Sequence, residues 1–115
     1  MRNGSWIFKM RTAEVFVAGK LAGYLEEQTK GTLYRFTYVE GYNGPPVSLT
    51  MPIDDGSFTY TSFPPFFDGL LPEGIQLESL LRSRKLDRND LFSQLLAVGR
   101  DMVGTVTVRE ADNYS

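Results

Sequence analysis

The chain changes its hydrophobic period once, near Asp54-Asp55-Gly56, and that change limits what it can fold into. Before it the pattern is that of strands. Ala13 to Ala18 (AEVFVA) is β-rich, Gly19-Lys20 reads as a turn, and Leu21 to Glu27 (LAGYLEE) returns as a second strand. Thr29-Lys30-Gly31 marks another turn. Thr32 to Glu40 (TLYRFTYVE) alternates cleanly, with Tyr34, Phe36 and Tyr38 on one face and Leu33, Arg35, Thr37 and Val39 on the other. Gly41 to Pro46 (GYNGPP) is a loop by composition, and Val47 to Met51 (VSLTM) is expected as a short strand ended by Pro52.

Beyond the Asp-Asp-Gly turn the spacing becomes helical. Glu73 to Arg84 places Ile75, Leu77, Leu80 and Leu81 near a helical repeat. Asp90 to Val98 puts Leu91, Leu95 and Val98 on one face, with Asp87 or Asn89 as N-cap and Gly99 as the C′ residue. Thr105 to Arg109 (TVTVR) reads as a last strand. The expected class is α+β: a small antiparallel sheet of about five strands, a meander plus a returning C-terminal strand, packed with two or three helices. Residues 1–9 read as an extension, with Met10 as an alternative start; 10–110 is the domain and 111–115 a tail.

Composition narrows the chemistry. With 42% hydrophobic and 23% charged residues in 115, the chain is an ordinary single globular domain. It has no cysteine and no histidine, which removes thiolate chemistry, disulfides, the commonest general base and the commonest transition-metal ligand. A net charge of −2 supplies no bulk attraction to nucleic acid or an anionic membrane. No apolar run is long enough to span a bilayer, and no secretion signal is visible, so the expected location is the cytoplasm.

Three fragments resemble parts of protein kinases: Val17-Ala18-Gly19-Lys20, Phe67-Asp68-Gly69 and Gly99-Arg100-Asp101. A chain this short cannot build two kinase lobes, and no glycine-rich loop precedes Lys20. Asp54-Asp55-Gly56 is too short for a calcium loop of about twelve residues and reads as a plain turn. Arg82, Arg84, Lys85 and Arg88 cluster where a helix C-terminus favours cations; phosphate contact is the minor alternative. No catalytic, metal or cofactor residue is assigned.

The stretch SFPPFFDGLLPEG (Ser62 to Gly74) holds five large apolar side chains and three prolines. Phe66, Phe67, Leu70 and Leu71 would form one stripe on a helix of about two turns. Pro64 and Pro65 suit its first turn, Pro72 its end, and Gly69 would cost roughly 1 kcal/mol inside it. Phe67, Leu70 and Leu71 suit a core. Phe63, Pro64 and Pro65 suit either a core or an exposed contact. An adjacent Arg100-Asp101 pair suits a surface ion pair, or for Arg100 a cross-chain contact.

PPFFDGLLPEG (Pro64 to Gly74), followed by LLAVGRDMVGTVTV (Leu95 to Val108), resembles the N-terminal subdomain of the HipA family of bacterial toxin kinases. VSLTMPI is similar to that family's S-L-S-L-P segment. The likeness covers roughly residues 10–110, in the family's order. A chain that stops here, without a kinase core, resembles the small HipS component of split HipBST systems; a fragment of a longer HipA reads the same, and the Met1 start favours a separate gene product. The resemblance implies a non-enzymatic antitoxin that binds and restrains a HipT-like kinase near its active site. A HipB-like DNA-binding protein is a possible third member, and the implied kinase substrate is an aminoacyl-tRNA synthetase. The expected interface is Phe63, Pro64, Pro65, Phe66, Asp68, Leu71, Glu73, Arg100 and Asp101, with Phe63 reaching toward the kinase site. The rival reading is a structural subdomain that completes a kinase without inhibiting it.

Overall fold

The computed structural model describes residues 10–99 and 105–111. Its order is β1 (Arg11–Val17), β2 (Lys20–Thr29), β3 (Leu33–Tyr38), a 3-10 turn at Ile53–Asp55, β4 (Ser57–Tyr60), α1 (Pro65–Asp68), α2 (Gly74–Arg84), α3 (Leu91–Val98) and β5 (Val106–Glu110). The strands form one open sheet in the order β4-β3-β2-β1-β5, every neighbour antiparallel. The fold is α+β, as the change of period implies.

The β1–β2 hairpin turns through Ala18 and Gly19, whose φ angles of 51° and 83° are both left-handed. That is the turn whose twist matches the strands of a two-residue hairpin. Register then lines up one apolar row across the sheet: Ala13 opposite Leu25, Leu25 opposite Phe36, Phe36 opposite Phe58. Val15 and Val108 pair beside it. The opposite face carries Glu14, Tyr24, Thr37 and Ser57 in the neighbouring row. One buried face and one polar face follow from the alternation in the sequence.

The core lies between the apolar face and a layer made of the 39–56 connection, α1 and α3. Tyr42, Val47, Met51, Phe67, Phe92 and Leu95 of that layer are all buried, as is Phe63 just before α1. α3 packs on β5, and α2 packs on α3.

The structure departs from the sequence pattern in four places. Val47 to Met51 is not a strand; the fourth strand is Ser57–Tyr60. Val47 and Met51 are buried while Leu49 is 92% exposed, so burial recurs every four residues rather than every two. The Tyr38 hydroxyl accepts from the Val47 N–H and donates to the Met51 carbonyl, and a side chain thus takes backbone groups that a ladder would need. The N-cap of α3 is Asp90, which accepts from the Ser93 N–H at 3.1 Å; Asp87 instead receives the Asn89 N–H at 2.8 Å. Gly99 is right-handed (φ −58°), not the left-handed C′ residue expected. A Cβ there would lie 2.3 Å from the Val108 carbonyl oxygen, so close approach of α3 to β5 is what requires glycine. α1 is a single turn, not two, and Gly69 closes it instead of lying within it.

Candidate protein-interaction surface

The proline-framed segment folds as local rules dictate. Pro65 begins α1 with no N–H to leave unpaired, and the turn is held by Asp68 N–H to Pro64 O and Gly69 N–H to Pro65 O, both 3.0 Å. Leu70 N–H to Phe67 O and Leu71 N–H to Asp68 O carry the winding to Leu71. Phe67 is fully buried, its ring 6.1 Å from Phe36. Phe66 meets Phe67 edge to face at 5.2 Å.

Two expected contact residues face inward. Phe63 is buried, edge-on to Tyr34 with ring centres 5.4 Å apart. Pro64 is buried beside it. Phe63 is therefore not held out toward a partner; β3 supplies an aromatic neighbour that takes it into the core. The outward side is formed by Pro65, Asp68 and Glu73, which are exposed, and by Phe66, Leu70, Leu71 and Pro72, which are half-buried. Arg100 and Asp101 lie outside the described residues.

The sequence pattern missed Ile75. It was grouped with Leu77, Leu80 and Leu81 yet is 87% exposed. Helix positions i and i+2 are about 200° apart, so Ile75 and Leu77 cannot share a face. That spacing is the signal that separates them. Leu77, Leu80 and Leu81 lie three and four residues apart and are half-buried, and no residue of α2 is fully buried. Ile75 thus adds an exposed apolar side chain at the start of α2, directly after the segment that holds half-buried Phe66, Leu71 and Pro72.

Charge divides along α2. Glu73 caps its start and Glu78 lies at its middle; Arg82 and Arg84 lie in its last turn, with Lys85 and Arg88 just beyond. The hydrogen bond from Arg88, at 2.7 Å, holds the exposed Glu78 carboxyl below the usual carboxylate range. Arg82 and Arg84 occupy the last turn, where the helix dipole favours them.

The buried polar groups serve the fold. Arg11 donates to Glu27 (2.7 Å), Asp90 (2.9 Å) and Ser93 (2.8 Å), tying β1 and β2 to the start of α3. Glu27 also accepts from the Tyr34 hydroxyl at 3.2 Å and the Gly31 N–H at 3.3 Å. Burial works against ionised Asp90, but hydrogen bonds from Arg11 and Ser93 outweigh it and hold its carboxyl low.

The kinase-like fragments do not converge. Val17 to Lys20 is the β1–β2 turn, with the Lys20 ammonium 2.9 Å from Asn43 and over the Tyr42 ring. Phe67 is core, and Arg100-Asp101 falls outside the described residues. An open groove beside Phe16, Gly19 and Thr107 has Arg109 as its charged group, already paired with Glu14 at 2.6 Å. Among the described residues no group of three or more metal-ligating side chains comes together, and no helix is long and apolar enough to cross a membrane.

Known proteins match this chain over most of its length. The family model for the HipA N-terminal domain matches residues 13–109, from β1 into β5. A protein of Haemophilus influenzae, described only as uncharacterized, is 34% identical over 101 residues, 88% of this chain and 93% of that protein. A solved N-terminal domain of HipA toxin is similar in structure, with a TM-score of 0.71 and 28% identity over 99% of this chain and 100% of that one.

Proposed function

The chain belongs to the HipA N-terminal domain family, and from that premise we propose that it is a non-enzymatic antitoxin that binds a HipT-type kinase and restrains it. One observation carries the choice of surface: Ile75 stands 87% exposed at the start of α2, a helix with no fully buried residue, directly after the segment that holds half-buried Phe66, Leu71 and Pro72. Apolar anchors of this kind, ringed by polar groups, dominate protein interfaces. Pro65, Asp68 and Glu73 form the polar rim. Phe63 and Pro64 act from behind, as the buried support that fixes this rim. Arg100 and Asp101 are assigned to the same interface on the family motif.

The mechanism is steric. The kinase supplies the nucleotide site and the phosphoryl-transfer groups, and this chain occupies the approach to them. A HipB-like protein would join through the kinase.

The test is the rate of phosphoryl transfer by a HipT-type kinase from the same organism, with and without this chain. Inhibition is expected, and Ile75→Asp should weaken binding at least tenfold, roughly the effect of losing an apolar anchor, while leaving the melting temperature in place. Equal rates with and without the chain would refute the antitoxin reading. A higher rate would favour the rival, a subdomain that completes its kinase. The full coverage of a solved toxin domain is the observation behind that rival.

A further inference from the structure

We propose that Asn43 is a self-modifying site: with Lys20 assisting, the Gly44 backbone nitrogen displaces the Asn43 side-chain amide as ammonia, and water then leaves aspartate or isoaspartate. The site needs no partner. Any Asn or Asp followed by Gly can close such a ring, because the next backbone nitrogen lies within reach of Cγ and glycine has no Cβ to obstruct it. The described residues hold such pairs at Asn43-Gly44, Asp55-Gly56 and Asp68-Gly69. The structure separates them. The Gly56 N–H donates to the Ile53 carbonyl and the Gly69 N–H to the Pro65 carbonyl, each at 3.0 Å, so both nitrogens are tied into turns. The Gly44 N–H meets no acceptor among the described residues. Asn43 is also an amide, a better target for a nitrogen nucleophile than an ionised carboxylate.

The second half of the site is Lys20, whose Nζ donates to Asn43 Oδ1 at 2.9 Å. The ammonium draws electron density from the amide carbonyl and stands where negative charge develops during attack. Its position is set by the start of β2 and by the Tyr42 ring, 5.6 Å beneath it. Tyr42 is buried, stacks on Tyr38, and donates its hydroxyl to the Pro45 carbonyl, so it brackets the Asn43-Gly44 pair. A Cβ on Gly44 would lie 2.6 Å from the Tyr42 hydroxyl oxygen, so this tyrosine also requires the glycine. Asn43 is exposed, and water reaches it. Asn and Gly suit a loop for backbone reasons alone. That role calls for neither a cation on the amide oxygen nor an untied nitrogen.

The step needs no oxidant or reductant. Solvent base takes the Gly44 amide proton and the nitrogen bonds to Cγ. The carbonyl electron pair moves onto Oδ1, against Lys20, and returns as the Cγ–Nδ2 bond breaks and the protonated nitrogen leaves as ammonia. Water opens the succinimide so formed. Cleavage between the nitrogen and Cγ gives aspartate; cleavage at the main-chain carbonyl carbon gives isoaspartate, with the chain running through Cβ and Cγ. Either product adds a negative charge to the net −2, facing Lys20.

The experiment incubates the purified chain at neutral pH beside a capped peptide of residues 40–47, Asn43→Gln, Lys20→Met and Lys20→Arg, with melting temperatures measured for each variant. Ion exchange, intact mass and peptide mapping with isoaspartate detection follow the conversion. Mapping is needed because Asn3-Gly4, outside the described residues, is the same dipeptide. The wild type should convert at Asn43 faster than the peptide, which lacks Lys20. An exposed donor is worth less than a buried oxyanion hole, so Lys20→Met should slow conversion about tenfold. Lys20→Arg keeps a cationic donor and should retain most of the rate, and Asn43→Gln should abolish the acidic forms that map to this loop. Asp55 and Asp68 should not isomerise over the same period. The proposal is overturned if the folded chain converts at Asn43 no faster than the peptide, if Lys20→Met converts like wild type, or if Asp55 or Asp68 isomerises as fast as Asn43 converts.

Discussion

Tyr34 and Tyr38 bury their rings in one strand, and each hydroxyl has a separate task. Tyr34 donates to Glu27 and thereby joins the Arg11–Asp90 network; Tyr38 clamps the Leu49 turn. Burial, and then the charge of and hydrogen bond to Glu27, push the Tyr34 hydroxyl up to about 12. Burial also raises Tyr38, Tyr42 and Tyr60. A folded-state value above the unfolded one of 10.0 gives stability that is complete below pH 10 and lost as pH rises through the folded value. Unfolding free energy from urea titrations should therefore fall between about pH 10 and 12, and Tyr34→Phe should flatten that fall. Asp90 acts in the opposite direction. Its depressed carboxyl contributes stability above its ordinary value near 3.8, which is lost as pH falls through the lower folded value. The alternation of Thr32 to Glu40 placed both tyrosines on the buried face. Their hydroxyl partners were not legible, because Glu27 and Met51 are brought near by strand pairing and a loop.

At the scale of elements, two glycines of similar appearance in the sequence have opposite roles. Gly99 ends α3 where a Cβ would meet the backbone of Val108 at 2.3 and 2.9 Å. Gly99→Ala should cost about 2–3 kcal/mol by chemical denaturation, toward the upper end of overpacking effects because backbone must move. Gly69 closes α1 in the right-handed region (φ −66°), with its nearest neighbour at an ordinary 3.4 Å. Gly69→Ala should be neutral or should stabilise by up to about 1 kcal/mol. Helix spacing located α2 and α3 to within a residue or two. The exchange of VSLTM for Ser57–Tyr60 as the fourth strand was not readable, since both are short and β-prone. Only the capture of the first by Tyr38 separates them.

For the whole molecule, the large apolar side chains left most exposed among the described residues are Leu49, on the 39–56 connection, and Ile75, at the start of α2. A kinase that binds only the folded chain must stabilise it by mass action. At a hundredfold excess of free kinase over Kd the gain is about 2.7 kcal/mol, visible as a rise in the chain's melting temperature. Ile75→Asp should reduce that rise while melting like wild type alone. Absence of any rise with wild type would count against the kinase as partner.

Periodicity in the chain determined four of the five strands, the two longer helices and the buried face, because one-sided burial repeats locally every two or nearly four residues. The motifs from Pro64 to Gly74 and Leu95 to Val108 pointed to the family. Tertiary structure alone decided which apolar side chains face outward. Helix spacing sets Ile75 apart from Leu77, but Phe63 and Leu49 lie outside regular elements, and local pattern cannot rank them. Exposure depends on what arrives from elsewhere in the chain: the Tyr34 ring lies against Phe63, whereas Leu49 and Ile75 stay open to solvent.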